Sequence, residues 1–512
     1  MKKLLGFLFH RLVLVAFAII VQLAFLMVML LKFQNQFVYF YGVSAVLSVI
    51  VVLFIINGRS NPAYKLAWVV PILLFPIFGG IFYLLFGSNR PSKHEIKKMS
   101  AMLENYKQYL PAEKTEALME LEQNDMAGAS QSRYISKYAQ AALYKHTTVD
   151  YLPSGECKFE QLLVELRAAE HFIFMEYFII QPGKMWDSIL EVLVEKAAQG
   201  VDVRVMYDDV GCIMTLPYGY DKKLMAMGIK CGRFNPFVPI LSTRLNNRDH
   251  RKICIIDGHT GFTGGINLAD EYINAIEKHG HWKDTAVLLR GEAVWNLTLM
   301  FLSMWNYLHG QNEDYAIYRP DVYRPLPEQG DGYVQPFADN PLDGECVGET
   351  VYLNMINKAE RYIYITTPYL IIDNEMVVAL QTAAKNGVDV RIITPHVADK
   401  WYVHAVTRAY YEILVESGVR IYEYTPGFIH AKTYVCDDRY AVVGTINMDY
   451  RSLYLHFECG AWICGGRGVQ EVREDFDKTL DVCQEITLEQ CRSISWGRRL
   501  GRGLLKSFAP LM

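Results

Sequence analysis

The strongest constraint on the fold of this chain is a motif written twice. His250-Arg251-Lys252 is followed by four residues and Asp257, and seven residues later by Gly264, Gly265, Ile266 and Asn267. The second copy runs His430-Ala431-Lys432, then Asp437, then Gly444, Thr445, Ile446 and Asn447, with the same seven-residue step. One His-x-Lys-x4-Asp carries little weight in a chain with 13 histidines, because short motifs recur by chance. Two copies with matching tails require a chain built from two equivalent halves.

The match extends outward. Residues 169–177 resemble 359–369, residues 197–204 match 383–391, and residues 227–230 parallel 417–420. From Gly200 to His250 is 50 residues, and from Gly387 to His430 is 43. Short β-branched and aromatic runs alternate with helical windows, so each half reads as strands and crossover helices ending in the motif strand. A repeat of about 180 residues is too long for a solenoid unit. Two α/β halves about a pseudo-twofold fit, with the two motifs face to face.

Composition matters at the start of the chain, where much of the 51% hydrophobic content is concentrated. Residues 12–31 carry Gln22 as their one polar break, and 37–56 and 66–86 carry no charge. Each run is long enough to cross a hydrocarbon core as a helix. Pro71, Pro76, Gly79 and Gly80 in the third suit a membrane better than a soluble helix. The first run could also lie along the interface. The expected organisation is a membrane domain over 1–90 with two or three transmembrane helices, linker helices over 91–135, α/β halves over 136–330 and 331–490, and a tail over 491–512. Lys and Arg flanking the runs divide evenly between the two sides, so the positive-inside rule sets no orientation. The ten cysteines show no C-x-x-C and no ligand spacing, which favours reduced thiols and a cytoplasm-facing catalytic region. In the tail, Trp496, Leu500, Leu504, Leu505 and Phe508 recur at helical spacing among five Arg and Lys and no acid, the pattern of a basic helix lying on anionic lipid.

Side chains alternate along a strand, so His250 and Lys252 project to one face, as do His430 and Lys432. Imidazole and ammonium aimed twice into one cleft suit a phosphodiester. The lysines neutralise the non-bridging oxygens and Asn267 and Asn447 donate to them. One imidazole attacks phosphorus while the other protonates the leaving oxygen, so the pair titrates as a coupled unit. Asp257 and Asp437 complete the two catalytic triplets and, at strand ends, read as braces. Glu176 and Tyr369 are candidate cleft-lining residues. Nothing in the spacing demands a metal or a cofactor.

These motifs resemble the duplicated signature of the phospholipase D superfamily, and the chain resembles its bacterial cardiolipin synthases. The likeness runs from residues 61–68 through 428–433 and 447–452 to the terminal 510–512. It implies two phospholipase D-like halves behind transmembrane helices, in a multi-pass protein of the bacterial inner or plasma membrane. It also implies that each histidine is oriented by an acid of the opposite half, Glu458 for His250 and Asp284 for His430. The implied activity is transfer of a phosphatidyl group from one phosphatidylglycerol to another through a phosphatidyl-histidine. The nucleophile would be His250 by family habit, although the near-symmetric halves leave that choice open. The expected partners are phosphatidylglycerol and anionic membrane lipid, with room for a homo-oligomer. A related phosphatidyltransferase or phospholipase D hydrolase is the alternative. A tethered nuclease is disfavoured by a net charge of −4 and the lack of a basic stripe, and a non-catalytic scaffold by two intact motifs.

Overall fold

The computed structural model describes residues 37–58, 61–74, 93–111, 115–236, 247–310, 313–327, 330 and 332–511, with isolated positions before 37 and at Tyr83. Two compact units emerge, one of Met1–Ser92, Asn235–Asn247 and Ser507–Met512, the other of Lys93–Phe234 and Arg248–Lys506.

In the first unit, α1 (Phe37–Asn57) and α2 (Pro62–Leu74) pack through Val52, Ile55, Trp68 and Ile72. Asn61 caps α2 by accepting from the Ala63 amide at 2.9 Å. Val46, Leu47, Leu53 and Phe54 of α1 are exposed. The side chains of α1 are described at Tyr39 and from Gly42 onward, and among the described residues no helix is long and apolar enough to cross a membrane. Most of the first apolar run and the later part of the third lie outside the described residues.

The second unit holds two large sheets, and each strand of the first has a counterpart in the second. The first is built from β1 (Thr147–Leu152), β2 (Phe172–Tyr177), β3 (Asp202–Asp208), β4 (Lys230–Phe234), β5 (Ile253–Ile256), β6 (Thr260–Gly264) and β8 (Ala286–Gly291); β7 (His281–Lys283) stands apart. The second is built from β9 (Tyr333–Asp339), β10 (Tyr362–Thr366), β12 (Asp389–Pro395), β13 (Arg420–Tyr424), β15 (Thr433–Cys436), β16 (Tyr440–Gly444), β18 (Glu458–Cys464) and β19 (Cys483–Ile486). The short strands β11 (Leu370–Ile371) and β17 (Met448–Asp449) pair with each other, and β14 (Gly427–Ile429) pairs with β7. The sheet orders are β1-β8-β6-β5-β2-β3-β4 and β9-β18-β16-β15-β10-β12-β13-β19, the same sequence of roles with one strand added at an edge. Each half is thus a parallel trio extended by antiparallel strands. Between the sheets lies α3 (Val294–His309), an apolar helix buried nearly all round, whose Trp295, Phe301 and Trp305 share one core with residues of both sheets.

The motif aspartates explain the hairpins that carry them. β5–β6 and β15–β16 turn through residues 257–259 and 437–439, with Asp257 at φ 50°, Gly258 at φ 73° and Asp437 at φ 57°. Asp tolerates this left-handed region better than most side chains. At the chain's end, α5 (Trp496–Ser507) meets α4 (Trp401–Val415): Arg499 bonds Glu412 at 3.0 Å and the Lys506 ammonium sits 3.9 Å over the Tyr410 ring. Trp496, Leu500 and Leu504 face outward, 78%, 59% and 63% exposed.

Candidate active site

His250 and Lys252 lie just ahead of β5 and not within it, and because β5 runs antiparallel to β2 the histidine stands beyond the carboxyl end of the parallel strands; His430 and Lys432 hold the same position before β15. Each is fixed by a main-chain bond to the opposite half. The His250 amide donates to Phe457 O at 2.9 Å, and the His430 amide to Lys283 O at 2.6 Å. Phe457 and Lys283 each precede the acid that meets the imidazole. His250 Nδ1 lies 2.9 Å from both Glu458 oxygens, and His430 Nδ1 lies 2.7 Å from Asp284 Oδ2. A carboxylate at Nδ1 selects the tautomer that leaves Nε2 as the reactive nitrogen.

The acids are held differently in the two halves. Thr445 donates its hydroxyl to Glu458 Oε2 at 2.5 Å. Its counterpart is Gly265, where a Cβ would come within 2.1 Å of Asp284 Oδ1, so glycine is required for Asp284 to reach His430. Asp284 Oδ1 accepts instead from the Thr285 amide at 2.8 Å.

All these groups are buried, and burial dominates their electrostatics. It pulls the His430 imidazole down to about 4, with Lys432 adding to the shift and Asp284 opposing it. It lowers His250 likewise, against the pull of Glu458. Burial works to raise Glu458, but His250 more than offsets it and holds the carboxylate below its usual range. Burial brings Lys252 down to about 8 and Lys432 to about 7, while Glu458 and Asp284 both act on each ammonium to raise it. Lys432 Nζ is 2.8 Å from His430 Nδ1. The arrangement is a pair of imidazoles and a pair of ammoniums whose charged forms burial disfavours, a setting that an anion would relieve.

The other sequence candidates fall into place unevenly. Asp257 and Asp437 take no part in the cleft. Asp257 accepts from the amides of Glu170, His171 and Phe172 at 2.8–2.9 Å, and Asp437 from Glu360, Arg361 and Tyr362 at 2.7–2.9 Å, clamping each hairpin to the start of β2 or β10. Asn267 is tied into the fold at both ends of its amide. Its Oδ1 accepts from the Ile179 amide at 3.0 Å and its Nδ2 donates to the Tyr272 hydroxyl at 2.7 Å, because Tyr272, five residues on, is within reach. Asn447 has Ser452 at that offset, and its Oδ1 has no partner among the described residues. Glu176 does not line an open cleft: it is buried against Arg251, 2.5 Å from Nη2. Tyr369 is half-buried, its hydroxyl on Asp399 at 2.6 Å and its ring 6.4 Å from Phe428, which packs on His430.

Sequence reading passed over His456. Its ring lies 5.7 Å from that of His250, at the place Trp282 takes beside His430, 5.5 Å away. Each stands two residues before its half's orienting acid, a spacing that superposing the repeats would have flagged. His250, His456 and Glu458 offer metal-ligand atoms within 4.8 Å of one another, but two of the three already bond each other through Nδ1 and carboxylate.

Residues 162–289 and 352–480 match the family model described as cardiolipin synthase, PLD-like domain, and residues 46–88 match the phospholipase D-nuclease N-terminal model. An uncharacterised protein of Streptococcus mutans is 43% identical over 90% of this chain and 99% of its own. The cardiolipin synthase of Geobacillus kaustophilus is 35% identical over 91% of this chain and 92% of its own. Among solved structures, the phosphatidylserine synthase of Haemophilus influenzae Rd KW20 covers 74% of this chain and 97% of its own, at 16% identity and a TM-score of 0.56, which shows a shared fold.

Proposed function

The chain belongs to the cardiolipin synthase family of the phospholipase D superfamily and is a phosphatidyltransferase; from that premise we propose that it joins two phosphatidylglycerols into cardiolipin and releases glycerol. The observation that carries the reading is the pair of crossed histidine–acid couples, each completed by the opposite half. The donor phosphate lies between Lys252 and Lys432, with the Asn447 amide toward a non-bridging oxygen. His250 Nε2 attacks phosphorus, and the bond to the glycerol oxygen breaks as His430 Nε2 hands that oxygen its proton. The phosphate anion supports the proton on His430, since a nearby negative charge favours the charged imidazole. A terminal hydroxyl of a second phosphatidylglycerol then gives its proton to His430 and attacks phosphorus, and His250 leaves as the neutral imidazole. Glu458 and Asp284 hold tautomer and orientation throughout.

We further infer a bilayer setting. The apolar runs over 12–31, 37–56 and 66–86 span the membrane, and the outward stripe of α5 lies on anionic lipid. The free cysteines support a cytoplasmic catalytic region. Purified protein in lipid, supplied with phosphatidylglycerol alone, yields cardiolipin and free glycerol, and His250→Ala and His430→Ala each abolish both. Phosphatidic acid as the sole product would make the protein a hydrolase instead.

A further inference from the structure

The substrates of the proposed reaction are bilayer lipids, and their phosphates must reach histidines that are 8% exposed. Two loops in equivalent places lie near the cleft, one after β3 and one after β12. Both leave the carboxyl ends of parallel strands, the end at which the motif histidines stand. Contacts tie each loop to the site. Thr215 donates to Ile180 O at 2.7 Å and Cys212 approaches Phe178 O, and the Phe178 ring is 4.9 Å from that of His250. On the other side, Asp399 receives the Tyr369 hydroxyl.

At their outer ends these loops expose large apolar side chains. Met214 is 71% and Tyr218 83% exposed in the first, and where the second runs into α4 the first helical residue, Trp401, is 73% exposed, with Tyr402 beside it. Single exposed apolar residues need no explanation, but two sets repeated at related positions flanking one cleft do. Charge identifies the occupant. Lys222, Lys223 and Lys400, next to these side chains in sequence, are exposed, whereas the neighbouring acids turn inward: Asp221 pairs with Arg233 at 3.2 Å and Asp399 with Tyr369. The rim therefore presents aromatic and thioether groups set in positive charge, the composition that settles into an anionic lipid interface.

We propose that Met214–Tyr218 and Trp401–Tyr402 are paired lipid-docking lips that seat the cleft on an anionic bilayer surface, so that a lipid headgroup rises into the site without leaving the membrane. This rests on the lipid-transfer reading above. The test compares the full-length protein with the variant Met214→Ser/Tyr218→Ser/Trp401→Ser/Tyr402→Ser on two substrates, long-chain phosphatidylglycerol in reconstituted vesicles and a water-soluble short-chain phosphatidylglycerol. The variant is expected to lose about ten-fold in rate on vesicles, equivalent to about 1.4 kcal/mol of docking, and to keep its rate on the soluble lipid. Equal rates of variant and wild type on vesicles would overturn the proposal, as would an equal loss on both substrates, which would assign the loops to the chemistry or to a protein partner's surface. Separately, brominated lipid should quench the Trp401 emission, read as the difference between wild type and Trp401→Phe; no quenching overturns docking. If wild type turns over neither lipid, the synthase reading fails, and quenching alone still decides whether the lips touch the bilayer.

Discussion

Arg251 sits between the two working residues of the first motif, and the second motif has Ala431 there. The difference is not isolated. Arg251 is buried with Asp249 at 3.0 Å and Glu176 at 2.5 Å, and the equivalent second-half positions are Ile429 and Thr366. A buried charged trio has been exchanged as a set for a neutral one, as expected when removing one partner strands the others in low dielectric. Arg251→Ala should therefore cost about 3–5 kcal/mol, lowering the melting temperature, while adding Asp249→Ile and Glu176→Thr should restore most of it. This is also why Glu176 misled as a cleft residue: its partner lies 75 positions along the chain, between two residues that attract all the attention. The histidines were legible because the motif is written twice, although both stand just ahead of their strands and not within them. Their orienting acids were legible only through the family likeness, and the occupation of Asn267 by Tyr272 required the packed structure. The couples predict that Glu458→Gln and Asp284→Asn each lower kcat by about 10²–10⁴-fold with little change in fold, measured by cardiolipin formation. The lysines set a pH limb. With free-site values pulled down to about 8 and about 7, Lys252 and Lys432 lose their protons as pH rises through that range, so kcat/KM should fall above neutrality. Bound phosphodiester restores both charges, so the limb in kcat should lie at higher pH.

Elements show the same division between what local pattern carries and what packing decides. The sequence carried the motif strand with its Asp at the end, but the return strand that makes each a hairpin, turning through left-handed backbone at that Asp, came from the structure. The carboxylate then does a second job by capping three amides of the neighbouring strand, and no spacing rule reveals that. The tail is the opposite case. Helical spacing of Trp496, Leu500 and Leu504 was plain in the sequence, but a soluble helix would bury that stripe. In α5, Arg499 reaches Glu412 and Lys506 lies over Tyr410, while Trp496, Leu500 and Leu504 of the stripe are left outward and Leu505 is half-buried. Replacing all three stripe residues with serine should leave the unfolding free energy within about 0.5 kcal/mol of wild type, as for exposed sites generally. It should also weaken binding of the protein, with its apolar runs over 12–86 removed, to vesicles rich in phosphatidylglycerol, scored by sedimentation. A large loss of stability with unchanged vesicle binding would mean that the stripe packs on protein instead.

At the scale of the molecule, duplication has not produced two independent domains. The sheets share a core through α3, with Val149, Phe174 and Leu289 of the first sheet and Val334, Tyr364 and Ile463 of the second in one cluster. The cleft is stitched by pairings that belong to neither half alone: β7 with β14, and the Asp249–Phe457 bridge. Each histidine takes its main-chain bond and its carboxylate from across that seam, so the seam and the active site are one structure. A chain divided after Pro325, an exposed loop position, tests this directly. Expressed alone, either fragment lacks the second wall of its core and should be insoluble or aggregate. Expressed together, the fragments should copurify and recover cardiolipin formation. Carrying Glu458→Gln on the second fragment should impair the first fragment's His250 as severely as the same change does in the intact chain. Recovery of activity by one fragment alone would mean that a half can assemble its own acid, as a dimer of identical halves would, and the crossed couples would then be dispensable.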